Sequence, residues 1–114
     1  MVGKWSGTLH QPGGDPAYYP MKITLRAGHP PDEIGESWYS KQNCHGTLTL
    51  GDANQYGFML TEDIQEPRGV CSKTPMHFTV RVTRGDELEV KYWWSANINA
   101  ASIWYADATL QRLR

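Results

Sequence analysis

The chain is 114 residues long and has only two cysteines, four histidines and two phenylalanines. It has no long apolar run. Each shortage removes a class of function. A membrane-spanning helix needs about 20 consecutive apolar residues, so no membrane insertion by this chain is expected. His10, His29, His45 and His77 share no ligand spacing, and Cys44 and Cys71 stand far apart, so no metal site is expected. Gly-x-Ser-x-Gly, P-loop and His-Glu-x-x-His patterns are missing, and with them the chemistry each supports. No catalytic residue and no cofactor is therefore expected.

An excess of one charge is missing too. Eleven Lys and Arg stand against 12 Asp and Glu, for a net charge of −1. The basic residues are scattered, so no stripe exists to hold nucleic acid or an anionic membrane. The opening MVGKWSGTLH has one lysine and no apolar h-region of a signal peptide. An extracellular domain of this sequence would be a mature or excised piece.

Helical periodicity is absent beyond a turn or two, and what stands in its place is alternation with period two. KWSGTLHQ sets Trp5, Gly7 and Leu9 against Lys4, Ser6, Thr8 and His10. YYPMKITLRA sets Tyr19, Met21, Ile23 and Leu25 on one face. IGESWYS and HGTLTLGD follow, and YGFMLTEDIQ puts Phe58, Leu60, Glu62 and Ile64 together. MHFTVRVT, LEVKYWW and SIWYADATLQRL complete the series. PGGDP, GHPPDE, Gly51 to Asn54, EPRGVCSKTP, Gly85-Asp86 and SANINAA break the chain between them. Arg84-Gly85-Asp86 reads as a plain hairpin turn.

The pattern predicts an all-β fold with little or no helix, in one domain over residues 1–114. The architecture expected is an eight-stranded antiparallel up-and-down β-barrel of lipocalin or avidin type. Closure removes the edges a flat meander would expose. A barrel of eight strands has an interior just large enough to fill with side chains or to hold one small ligand.

Glu62 is the informative acid, because alternation puts it inside. A buried carboxylate is costly unless paired or neutralised. It either pairs with Arg112 or hydrogen-bonds Tyr39 to fix register, or anchors a ligand at the base of a cavity, or acts as an acid or base with a raised pKa. The aromatics cluster in KYWWSANINAASIWYADATL. Alternation assigns Tyr92, Trp94 and Trp104 to the interior and Trp93, Tyr105 and Trp38 to the exterior. Exposed tryptophan suggests a partner. The two cysteines leave two readings open: a disulfide closing a loop of roughly 27 residues, or two buried free thiols.

Gly3-Lys4-Trp5 resembles the G-x-W that opens lipocalin-like barrels, whose late arginine covers the tryptophan; Arg112 stands where that arginine would. A longer resemblance runs along GKWSGTL, IGESWY, CHGTLTL, LTEDI, RGVC and ADATLQR. It is similar to small all-β extracellular domains of actinobacterial secreted proteins and membrane-anchored serine/threonine kinases. Trp5, Gly7, Gly35, Tyr39, Cys44, Gly46, Leu48, Leu50, Glu62, Ile64, Gly69, Cys71, Ala108, Leu110 and Arg112 carry it. The chain departs from that pattern in its extra tryptophans and its longer GHPPDE loop. The resemblance implies a sensor outside the cell or at its surface, a Cys44–Cys71 disulfide and no catalytic residue.

The expected function is thus a non-catalytic extracellular module binding a small molecule or cell-envelope component at the barrel mouth. Tyr39, Glu62, Tyr92, Trp94 and Trp104 would line the site. The alternative is a protein-interaction module, such as a partner-docking domain or protease inhibitor, with Trp38, Trp93 and Tyr105 as anchors. It predicts a filled barrel and a flat aromatic patch. A small barrel enzyme of cyclase type is the third reading and requires an enclosed cavity.

Overall fold

Eight strands each have one apolar face to hide, and rolling the sheet until its first and last strands meet hides all eight at once. The computed structural model, which describes residues 1–14, 17–65, 75–95, 97 and 103–113, is such a closed barrel. The strands are β1 (Gly3–His10), β2 (Tyr18–Leu25), β3 (Glu33–Tyr39), β4 (Cys44–Asn54), β5 (Gly57–Ile64), β6 (Met76–Arg84), β7 (Glu87–Trp93) and β8 (Trp104–Arg112). Each pairs antiparallel with the next, and β8 returns to β1 through Trp5 opposite Arg112 and His10 opposite Asp107. Among the described residues there is no helix.

The inward residues form one continuous core. Trp5, Ile23, Leu25, Leu48, Leu60, Phe78, Val80, Leu88, Val90 and Leu110 are all buried in it. Removing a side chain such as Leu60 from a core of this kind costs about 2–5 kcal/mol.

The end where β1 begins is plugged. The Arg112 guanidinium lies 4.2 Å from the centre of the Trp5 ring, Arg112 Nη1 donates to the Val2 carbonyl at 2.7 Å, and Trp5 Nε1 donates to the Met1 carbonyl at 3.0 Å. Gly3 sits at φ +136°, and a Cβ there would lie 2.6 Å from Arg112 Nη1. The glycine of the G-x-W motif is therefore the gap through which the arginine reaches the tryptophan.

Two features depart from strict alternation. Gly51 to Asn54 do not turn the chain; they extend β4 past a bulge between Leu50 and Ala53, and the turn falls at Gln55-Tyr56. More consequential is a bulge between β7 and β8. Tyr92 pairs with Ala106, but the next residue, Trp93, pairs with Trp104, leaving Tyr105 as an extra residue in β8. A one-residue slip reverses the faces of everything beyond it.

That reversal corrects the aromatic assignments. Trp104 is on the outer wall, edge-on to Trp93 at 5.7 Å, with Lys91 Nζ 4.5 Å from its ring centre. Trp94 is not interior: it is 71% exposed. Tyr105 is not exterior: it packs against the core and leans on Tyr92 at 6.1 Å. Trp93 does lie on the outer face, yet it is only 2% exposed. Tyr56 and Trp104 roof it, and its Nε1 donates to Thr79 Oγ1 at 3.1 Å. Trp38 is on the outside, 39% exposed, beside His45.

Candidate functional site

At the end opposite the Trp5 plug the barrel is not filled. A cavity of about 180 Å³ opens there. It is lined at the ends of β1, β2, β3, β5 and β7 by Leu9, Tyr19, Tyr39, Glu62 and Tyr92, and Gln42 of the β3–β4 turn reaches it as well. The wall is apolar and aromatic apart from a few polar atoms, as ligand cavities generally are.

Alternation carries Glu62 into this space with Leu60, and it is fully buried. Its neighbours come from other strands. Tyr39 Oη donates to Glu62 Oε2 at 2.8 Å, and the hydroxyls of Tyr39 and Tyr92 are also hydrogen-bonded to each other. A phenol carries a single hydrogen. Since Tyr39 gives its own to Glu62, Tyr92 is the donor to Tyr39, and the chain runs Tyr92 to Tyr39 to Glu62. Arg112 takes no part, because it is committed to the plug at the far end.

The other carboxylate oxygen has no such support. Glu62 Oε1 is buried without a hydrogen-bond partner, as are Gln42 Oε1 and Ser37 Oγ. Ser37 and Glu62 flank Gly46, where a Cβ would lie 2.7 Å from Ser37 Oγ and 3.1 Å from Glu62 Cγ. Glycine at that position lets the two side chains approach.

The electrostatics follow from this burial. Loss of water raises the Glu62 carboxyl above its ordinary pKa, against the smaller lowering influence of the Ser37 hydroxyl, which lies nearby without a hydrogen bond, and of the Tyr39 hydroxyl, which makes one. Burial, then the Glu62 charge, then Tyr92 hold the Tyr39 phenol well above its usual range. Burial and the Glu62 charge do the same to Tyr92, against a smaller lowering by Tyr39. Tyr105 is pushed up to about 12, first by burial and then by Glu62. The structure therefore surrounds one carboxyl with three phenols that all keep their protons at neutral pH.

Of the five residues expected at the mouth, the fold brings together Tyr39, Glu62 and Tyr92. Trp94 stands at the rim, stacked at 4.0 Å on Tyr105, and Trp104 is on the outer wall. Sequence reading missed Ser37, Gln42, Tyr19 and the inward turn of Tyr105. Ser37 had a signal, since it alternates with Gly35 and Tyr39 on an inward face. Gln42 had none, because nothing in a turn sequence says which way its side chain points. Cys44 lies at the cavity wall, and there is no free cysteine among the described residues. Cys71 lies outside the described residues.

Among the described residues, no three His, Cys, Asp or Glu side chains converge as they would to hold a metal ion. The chemistry on offer is that of a small apolar chamber with hydrogen-bond acceptors at its base. Compared with protein-family models, with curated proteins and with solved structures, the chain finds no match.

Proposed function

We propose that this barrel is a non-catalytic module that binds one small molecule in the chamber floored by Glu62, Tyr39 and Tyr92. The observation that carries this reading is Glu62 itself, a fully buried carboxylate in a cavity wall with one oxygen unpartnered. A buried acceptor left unmade costs roughly 1–3 kcal/mol. A side chain serving stability alone would have both oxygens satisfied or would be apolar. A ligand that completes the set accounts for the arrangement.

The same reading places the module outside the cell, as a sensor-like domain of the actinobacterial type that its motifs resemble, taking a small molecule or cell-envelope component. It includes a Cys44–Cys71 disulfide, supported by the lack of a free cysteine among the described residues. Thiol titration of unreduced protein tests that part, and two reactive thiols would remove it. The docking alternative is weakened by Trp93, whose ring is covered by Tyr56 and Trp104 rather than presented. The enzyme alternative draws support from the raised Glu62 carboxyl and its link to two phenols.

Native mass spectrometry of the protein after incubation with lysate or envelope extract tests the central claim. A bound mass in the small-molecule range, lost in Glu62→Gln, is the expected result. Protein that stays unliganded, or that captures only a protein partner, would overturn it.

A further inference from the structure

The chamber also has a chemical preference. Glu62 is the sole carboxyl side chain lining it among the described residues, and no Lys, Arg or His of those residues reaches the wall. Of the three buried polar atoms left without partners, Ser37 Oγ lies off the chamber wall, and the two on it, Glu62 Oε1 and Gln42 Oε1, are both acceptors. Neither acceptor can be satisfied by a ligand carboxylate or ether, whereas an ammonium offers three N–H donors and no acceptor. Tyr19, Tyr39 and Tyr92 contribute aromatic walls, and aromatic faces attract a desolvated cation. An anionic ligand would meet the Glu62 carboxyl with no cation among the described residues to offset it.

Size narrows the class further. The 180 Å³ chamber is close to the ~150 Å³ cavity that accepts benzene, and well below the ~300 Å³ at which drug-sized pockets begin. We infer that the Glu62 chamber selects a small primary amine cation with a single-ring or short branched apolar body, its ammonium donating to Glu62 Oε1 and Gln42 Oε1. This inference rests on the reading of the chamber as a binding site.

Three probes of one shape and different charge test it by calorimetry at neutral pH: 2-phenylethylamine, 2-phenylethanol and phenylacetate. The amine is expected to bind roughly tenfold or more tighter than the alcohol, as charge-assisted hydrogen bonds require, with no detectable binding of the acid. Glu62→Gln should bring the amine down to the affinity of the alcohol. If the alcohol or the acid binds as tightly as the amine, the cation preference is overturned and the binding chamber stands. If none of the three binds at millimolar concentration, both fall. The wild-type comparison decides the matter even where the variant folds poorly.

Discussion

Tyr39 gives its one hydroxyl hydrogen to Glu62 across 2.8 Å, while the other oxygen of the same carboxylate accepts from nothing. The two residues come from near the ends of β3 and β5, which both flank β4, so the bond passes over that strand on the inner face. Half-satisfied, it leaves Glu62 as a place where stability and binding pull in opposite directions.

The pH dependence of stability shows this directly. The native Glu62 carboxyl has a raised pKa, so in the window above the unfolded value of about 4.3 the native state holds a proton that the unfolded state has released. Stability must then fall as pH rises through that window, with a limiting slope of about 1.4 kcal/mol per pH unit. Glu62→Gln should flatten this decline and make the protein more stable near pH 8, by on the order of 1 kcal/mol. Urea midpoints from pH 4 to 8 measure it. A variant less stable than the wild type at pH 8 would show that the carboxylate is a net stabiliser.

Trp93 and Trp94 are adjacent in sequence and opposite in consequence. Trp93 is buried on the outer wall with its indole N–H held by Thr79, so Trp93→Ala should cost about 3–5 kcal/mol. Trp94 is mostly exposed and touches Tyr105 from the solvent side, so Trp94→Ala should change stability by no more than about 0.5 kcal/mol. Thr79→Val, which leaves the indole N–H buried and unpaired, should cost roughly 1–3 kcal/mol. Chemical denaturation of the three variants ranks them, and the reverse order for the two tryptophans would refute the bulge.

That pair also marks the limit of what alternation makes legible. Period two, read from Leu88 through Val90 to Tyr92, places these inward residues correctly, as it does Trp5, Leu60 and Glu62. Tight turns at regular spacing are enough to predict the closed antiparallel order, because each hairpin forces the next strand alongside the last. A bulge has no such mark. The extra residue at Tyr105 is set by how β7 and β8 align across the ladder, with Asp107 opposite Lys91 and Ala106 opposite Tyr92. Counting in twos from either end of YWW or IWYADATL cannot reveal it. The partnership of Glu62 with Tyr39 was one of two options on the sequence, and what decided it was distance: Arg112 lies at the other end of the barrel.

The plug at that end makes a coupled prediction. Gly3→Ala puts a Cβ against the Arg112 guanidinium at a φ that side chains rarely adopt, a cost on the order of 1–3 kcal/mol. Arg112→Ala removes the cation from the Trp5 ring and the donor from the Val2 carbonyl, for about 2 kcal/mol. Once the arginine is gone the new methyl meets nothing in its place, so the double variant should be less damaged than the sum by roughly 1 kcal/mol. Strict additivity in a double-mutant cycle would mean that Gly3 is needed for its backbone angle alone.

The phenols set the alkaline limit of the fold. Tyr39 and Tyr92 are held well above the usual tyrosine range, and Tyr105 reaches about 12. Below the unfolded value of about 10 both states keep these protons, and the full stability is present. Above it the unfolded chain releases them while the native state does not, so each phenol lowers stability by up to about 1.4 kcal/mol per pH unit. Together the three approach a slope of roughly 4 kcal/mol per pH unit between pH 10 and 12. Tyr39→Phe also loses the Glu62 hydrogen bond, so the absolute stability of the variant is the wrong readout and the slope is the right one. Urea midpoints taken at intervals from pH 9 to 11 should show the slope reduced by about a third in Tyr39→Phe and again in Tyr92→Phe. A slope in Tyr39→Phe and Tyr92→Phe equal to that of the wild type would mean that these phenols ionise as freely in the native state as in the unfolded chain, and the buried relay to Glu62 would not survive that result.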